Sequence, residues 1–292
     1  MNVKFVDVKN DVAFRKIFGN EKKTQILISF LNAALKLEGD WSIKEVAIAN
    51  PYQFPRIAGE KATIIDVRAK DLKNRQFVVE MQVAETEGFD KRVQYYTCRD
   101  YSMQINTGED YPKLKPTYFI GILDFDYFDS EGYLSHHIIL NGETYEHKLK
   151  DVQFTFIELR KFDKEAHELE TLLEKWVFFI KNAENLDVVP DNVDDEGLLE
   201  AYHDADRHSW KKEELIAYDN ASIAEQDERG RMKLAEDRAE DRAKKEVIER
   251  CLEENMEVEF IARITNLSLE EISKIIEGIK NKRQSGKNKA KR

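Results

Sequence analysis

Two short apolar stretches, Lys61–Lys70 (KATIIDVRAK) and Gln76–Val83 (QFVVEMQV), constrain this chain most. Both are rich in β-branched residues, and Asp71–Arg75 between them supplies turn formers. The arrangement predicts an antiparallel hairpin. Asp66 and Glu80 are equidistant from residue 73. A turn centred there sets the two acids opposite each other, roughly 4.5–5.5 Å apart at Cβ. Gln82 follows Glu80 by two residues and projects from the same face. Acids on neighbouring strands most often face solvent. Here the flanks argue otherwise, because Ile64, Ile65 and Val67 surround Asp66, and Val78, Val79, Met81 and Val83 surround Glu80 and Gln82.

Two carboxylates so close repel unless something positive lies between them. Mg²⁺ takes one or two carboxylates plus waters and a substrate phosphate. Such an ion polarises a phosphodiester and lowers the pKa of a bound water. The pattern therefore admits metal-assisted phosphodiester hydrolysis.

The flanking sequence predicts more elements. Asn20 is a candidate cap for a helix carrying Ile26, Leu27, Phe30, Leu31, Ala34 and Leu35, with Gly39 beyond its end. Ile43–Ala49 alternates as a strand and is broken by Pro51 and Pro55. Gly88–Ile105 has amphipathic helical spacing, and Tyr118–Phe125 has the apolar content of a buried strand. Further strands are expected at His137–Leu140 and Phe154–Leu159, and helices near Lys164–Ala183 and over 197–218. Residues 187–196 form an acidic linker. Residues 222–254 are almost entirely charged, with Ala235, Ala239, Ala243, Val247 and Cys251 spaced by four, and read as a long exposed helix. Val258–Ile279 reads as two short helices, the second opened by the capping-box sequence Ser268-Leu269-Glu270-Glu271. The expected domains are 1–220, a 221–254 charged helical linker, and a 255–292 helix-turn-helix-like tail with a basic end. Glu270 and Glu271 at the start of the tail's second helix would repel phosphate, which favours assembly over DNA reading there.

Net charge is −11, which on its face disfavours nucleic acid. The acid is concentrated: residues 1–105 carry +3, residues 106–220 carry −15 and residues 221–292 carry +1. The N-terminal third can thus present a basic face. No apolar run reaches the roughly 18 residues of a membrane span, and no signal peptide is expected. The two cysteines, Cys98 and Cys251, lack CxxC spacing, consistent with a cytoplasmic protein with reduced thiols. His136-His137 and His203/His208 lack zinc-ligand spacing with cysteine support. The acids around Phe125–Phe128 lack the Gly and closing Glu of a calcium loop. No phosphate-binding glycine loop or serine-nucleophile motif occurs, so no organic cofactor is expected.

DVAFRKIFGN at 11–20, IIDVRAKD at 64–71, VVEMQ at 78–82 and KRVQYYTCRDYS at 91–102 together resemble the PD-(D/E)XK nuclease family transposases, also called recombination-promoting nucleases. The resemblance runs over nearly the whole chain. It implies an α/β restriction-endonuclease-like core (helix, three strands, helix, strand) with a helical C-terminal extension. It also implies a DNA endonuclease acting in recombination, mobile-element biology or phage defence, and a homodimer. Asp66 and Glu80 would be metal ligands for Mg²⁺ or Mn²⁺, joined by the backbone carbonyl of Met81. Gln82 stands where the wider superfamily has Lys, and would orient the attacking water. Asp11 falls in the N-terminal motif as a supporting acid or a helix-start cap. On the following helix, Arg92 would contact phosphate, with Tyr95 and Tyr96 packing or stacking on DNA; an ordinary amphipathic helix is the alternative. Arg15 and Lys16, the basic residues of the N-terminal motif, read as solvated surface positions, with phosphate contact as the alternative. An RNA-directed nuclease and a non-catalytic binding protein on the same fold remain the rival readings.

Overall fold

The computed structural model describes residues 4–50, 52–53 and 63–289. Pro51 and Pro55, Lys61 and Ala62, and the last residues of the basic tail lie outside them. The chain divides into two compact units, Met1–Ile223 and Ala224–Arg292.

Helix α1 (Asp11–Phe18) is capped by Asn10, whose side chain accepts from the N–H groups of Val12 and Ala13. It buries Ala13, Phe14, Ile17 and Phe18. Helix α2 (Gln25–Leu35) starts later than expected. Thr24 holds its N-cap position, while Asn20 turns the chain before it, accepting from Lys22 N–H and donating to Asp204. The helix closes on Lys36 in the left-handed region, three residues before Gly39.

Strands β1 (Val46–Ala49), β2 (Tyr52–Gln53), β3 (Thr63–Ile64), β4 (Val67–Asp71) and β5 (Gln76–Gln82) follow. The expected strand over Lys61–Lys70 is split between β3 and β4, at Ile65 and Asp66. Strict alternation would put residues 65, 67 and 69 on one face. Val67 and Ala69 do share one core, whereas Ile65 is buried in the other with Val78 and Phe119. The break at 65–66 moves Ile65 to the opposite face.

The hairpin register is Val67↔Val79, Arg68↔Val78, Ala69↔Phe77 and Lys70↔Gln76, centred on residue 73. Asp71 locks it. Its Oδ1 accepts from Lys73 N–H (3.0 Å) and Arg75 N–H (2.8 Å), and its Oδ2 accepts from Arg75 Nε (2.6 Å). Both side chains are 3% exposed.

Helix α3 (Phe89–Ser102) then crosses to β6 (Thr117–Leu123), which pairs parallel with β5. Strands β7 (Leu134–His137) and β8 (Val152–Glu158) complete a six-stranded sheet ordered β1-β4-β5-β6-β8-β7. β7 lies earlier than the expected His137–Leu140. His136 and His137 pair across to Thr155 and Phe154, while Ile138, Ile139 and Leu140 are exposed.

Helices α4 (Leu172–Asn182) and α5 (Glu196–Ala205) join α1 and α2 over the face formed by Val67, Phe77, Val79, Met81, Ile120 and Ile157. Helix α3 covers the other face, where Ile65, Val78, Phe89, Val93, Phe119 and Phe156 pack together. The expected core order is present: α1 and α2, the strands β1, β4 and β5, α3, then β6.

The acidic stretch before α5 has a structural task, since Asp195 caps that helix and binds Ser29 on α2. Helix α6 (Lys212–Glu253) begins before the charged stretch expected to be helical from residue 222 and continues into it. Its first turns hold α1: Tyr218 Oη accepts from Asp7 N–H, Ser222 Oγ accepts from Asn10, and Glu214 pairs with Lys16 at 2.6 Å. In the second unit, Ile248 and Cys251 pack with Ile261 of α7 (Val258–Thr265) and with Ile272 and Ile279 of α8 (Leu269–Lys289). Ser268 and Glu271 form the expected reciprocal cap.

The Asp71–Arg75 pair should matter well beyond its turn. Asp71→Ala leaves a buried guanidinium without its carboxylate and two backbone N–H groups without an acceptor. We expect a loss of about 3–5 kcal/mol, read as a lower urea midpoint at unchanged slope.

Candidate active site

The hairpin ends where β4 begins. Asp66 lies one residue before β4, at the break, and Glu80 and Gln82 lie near the end of β5. Extending the ladder by one step places Asp66 opposite Glu80, as the symmetric spacing predicts. Because β4 starts only at Val67, the Met81 N–H has no strand partner on that side. Asp66 Oδ2 accepts it instead, at 2.9 Å. In an extended strand a residue's N–H and C=O point the same way, so the Met81 carbonyl faces this corner too.

The other Asp66 oxygen is held by Arg15. Oδ1 accepts from Arg15 Nε at 3.1 Å and from Nη2 at 2.8 Å. Nη2 also reaches Asp11 Oδ2 at 3.3 Å. Arg15 is exposed, as its sequence context suggested, and it also joins this corner through Asp66. The general signal was present, since two converging acids require a counter-charge. Nothing in the local helix pattern said that Arg15 would supply it. Lys16, by contrast, turns to Glu214 and lies over the Trp210 ring at 5.0 Å. Asp11 is the first helical residue, beside the cap rather than the cap itself, and touches the site through Arg15.

Glu80 carries the strain of the arrangement. Its Oε1 is buried and has no hydrogen-bond partner. Burial pushes the Glu80 carboxyl well above the ordinary carboxylate value, and Asp66 pushes it the same way; Arg92 and Arg15 oppose without reversing the shift.

Gln82 is fixed at both ends. Its Nε2 donates to the Ala84 carbonyl at 3.0 Å, and its Oε1 accepts from Arg92 Nη2 at 2.6 Å. Arg92 also lies over the Phe89 ring at 5.6 Å. Tyr96 is half-buried beside this group, and burial raises its phenol. Tyr95 is 44% exposed, and its hydroxyl accepts from Arg99. The structure thus gathers Asp66, Glu80, Gln82, Met81, Arg92, Tyr96 and Arg15 at one corner. Asp11 stands at its margin and Tyr95 faces solvent. Behind this face, Arg68 of β4 pairs with buried Asp100 of α3 and ties the helix to the hairpin.

Among the described residues, no group of three or more His, Cys, Asp or Glu side chains is placed to hold a metal ion. A cation here would have two carboxylates and a backbone carbonyl, with the remaining positions left to water and substrate. An orphaned buried oxygen next to a second carboxylate fits a hard divalent ion of this kind.

A mixed sheet with helices on both faces and paired acids at the end of its central hairpin defines a restriction-endonuclease-like nuclease fold. The family model for PD-(D/E)XK nuclease family transposases matches residues 8–235, and the chain belongs to that family. Neither the curated proteins nor the solved structures contain a match. Among the described residues no helix is long and apolar enough to cross a membrane.

The Glu80 shift has a definite sign. The unfolded chain gives up this proton near the ordinary carboxylate value, and the folded chain holds it to higher pH. Stability is therefore full below the unfolded value and falls as pH rises through the native one. Glu80→Gln, neutral throughout, should match the wild type in acid. At neutral pH in EDTA it should unfold at a higher temperature than the wild type. Thermal unfolding across pH checks this, and identical curves would show that Glu80 is not desolvated.

Proposed function

We propose that this protein is a metal-dependent endonuclease that hydrolyses phosphodiester bonds in DNA, with Asp66, Glu80 and Gln82 as its catalytic residues. The observation that carries this reading is the buried, unpartnered Glu80 oxygen beside Asp66. An arrangement this costly without a cation is reasonable where a cation is part of the working state. Asp66, Glu80 and the Met81 carbonyl would hold Mg²⁺ or Mn²⁺. When bound, the ion would supply Lewis-acid polarisation of the phosphodiester and a more acidic water.

The chain's own groups do the rest. Gln82 cannot take a proton as a base, but its carbonyl, oriented by Arg92, can accept from a water and aim it. Arg92 adds positive charge beside the site, and Tyr96 gives it an aromatic wall. The mildly basic N-terminal third supplies these groups, which supports a polyanionic substrate despite the net charge. A role in recombination, mobile-element biology or phage defence follows from the family alone. A cytoplasmic setting is supported by two free cysteines, Cys98 and Cys251.

Supercoiled plasmid with Mg²⁺ should be nicked or linearised. EDTA, Asp66→Ala or Glu80→Ala should each reduce cleavage to background. Arg92→Ala, which frees Gln82 without removing a ligand, should cost about 10–100-fold. Activity on RNA alone would redirect the substrate assignment, and inertness toward both would favour a binding protein.

We further propose a homodimer, since cutting both strands calls for two active centres, and we assign self-association to residues beyond Ile223. Sedimentation should give a dimer for the full chain and a monomer for a chain ending at Ile223, which keeps the Tyr218 and Ser222 contacts to the N-terminal segment.

A further inference from the structure

Asp66 is engaged on both oxygens, and Oδ1 has both of its acceptor positions filled. Met81 N–H occupies Oδ2, and both Nε and Nη2 of Arg15 converge on Oδ1. A divalent ion that takes Oδ1 would share that oxygen with a guanidinium, two cations on one acceptor. Of the two groups, the Arg15 side chain (43% exposed) can swing toward solvent, whereas Asp66 (6%) is buried beside the hairpin. Its alternative contact, Asp11, is exposed and longer at 3.3 Å. A substrate phosphate, arriving at the same corner, can take both arms of the guanidinium fork, whereas Asp11 is reached through Nη2 alone.

We propose that Arg15 is a partner-switching cation: it neutralises Asp66 in the metal-free protein, is displaced when a divalent ion binds, and then clamps the phosphate of the substrate. This rests on the metal-dependent reading given above and goes beyond it by assigning Arg15 a place in substrate binding. Arg15 then opposes metal and favours substrate, two effects of opposite sign from one side chain. A residue that merely braces Asp66 would favour both.

The test uses the full-length protein and two readouts that need no cleavage. Mn²⁺ is titrated alone into wild type, Arg15→Ala, Arg15→Lys and Asp66→Asn and followed by calorimetry or electron paramagnetic resonance. Binding of a short DNA duplex is then measured in Ca²⁺. Arg15→Ala should bind Mn²⁺ about five-fold more tightly than wild type and DNA about five-fold more weakly. Arg15→Lys, a cation without the fork, should fall between on both. Mn²⁺ binding that is unchanged or weaker in Arg15→Ala, while still abolished in Asp66→Asn, overturns the switch and leaves the metal site standing. Tighter Mn²⁺ with unchanged DNA binding overturns the phosphate half, and with it the proposal as stated. No Mn²⁺ binding to the wild type would overturn the metal site itself and the switch with it.

Discussion

Asp66 and Glu80 face each other at the end of a hairpin, and the repulsion of that pair organises everything nearby. Arg15 arrives from α1 and Arg92 from α3, and a main-chain N–H is diverted from the sheet to serve Asp66. Even so, Glu80 is left holding its proton above the ordinary range. The protein spends native-state stability to keep two acids where a single acid would be cheaper. Ionisable groups, such as Glu80, whose surroundings drive them out of their usual range cluster at functional sites.

The pair can be held because the hairpin cannot slip. A one-residue change of register would send Glu80 and Gln82 to the other face of the sheet. Asp71 and Arg75 close the turn from inside. β6 lies parallel along the whole of β5 and pairs Gly121 with Glu80. A side chain at 121 would press into the Phe119 and Phe156 rings, so that position has room only for glycine. Asp66 itself falls outside the ladder, where the chain kinks to bury Ile65 on the α3 side. The site is thus regular on the Glu80 strand and irregular on the Asp66 side.

Much of this was legible in the residues. The symmetric spacing of Asp66 and Glu80 anticipates the observed register, because a hairpin's pairing follows from its turn. Gln82 follows from strand alternation. The kink at Ile65 was not legible, since an unbroken strand and a broken one share the same β-branched composition. Arg15 was hidden for a different reason. Its neighbours Phe14, Ile17 and Phe18 form a helix face, and a helix pattern says which side is buried but not which distant residue the other side meets. The extent of α6 was also obscure, because a run of charged residues carries no periodic mark where a helix begins or ends.

The contacts of α1 set an order of assembly. Arg15 and Asp66 are 51 residues apart, but α1 is itself seated by Tyr218, Ser222 and Glu214, about two hundred residues downstream. A ribosome makes Asp66, Glu80 and Gln82 early and these anchors late. The hairpin can form on the growing chain, while the helix that carries Arg15 gains its last supports only when synthesis has passed residue 222. A half-made chain therefore carries both acids before the contacts that seat α1 exist, and the corner they share is completed only as the whole N-terminal unit closes.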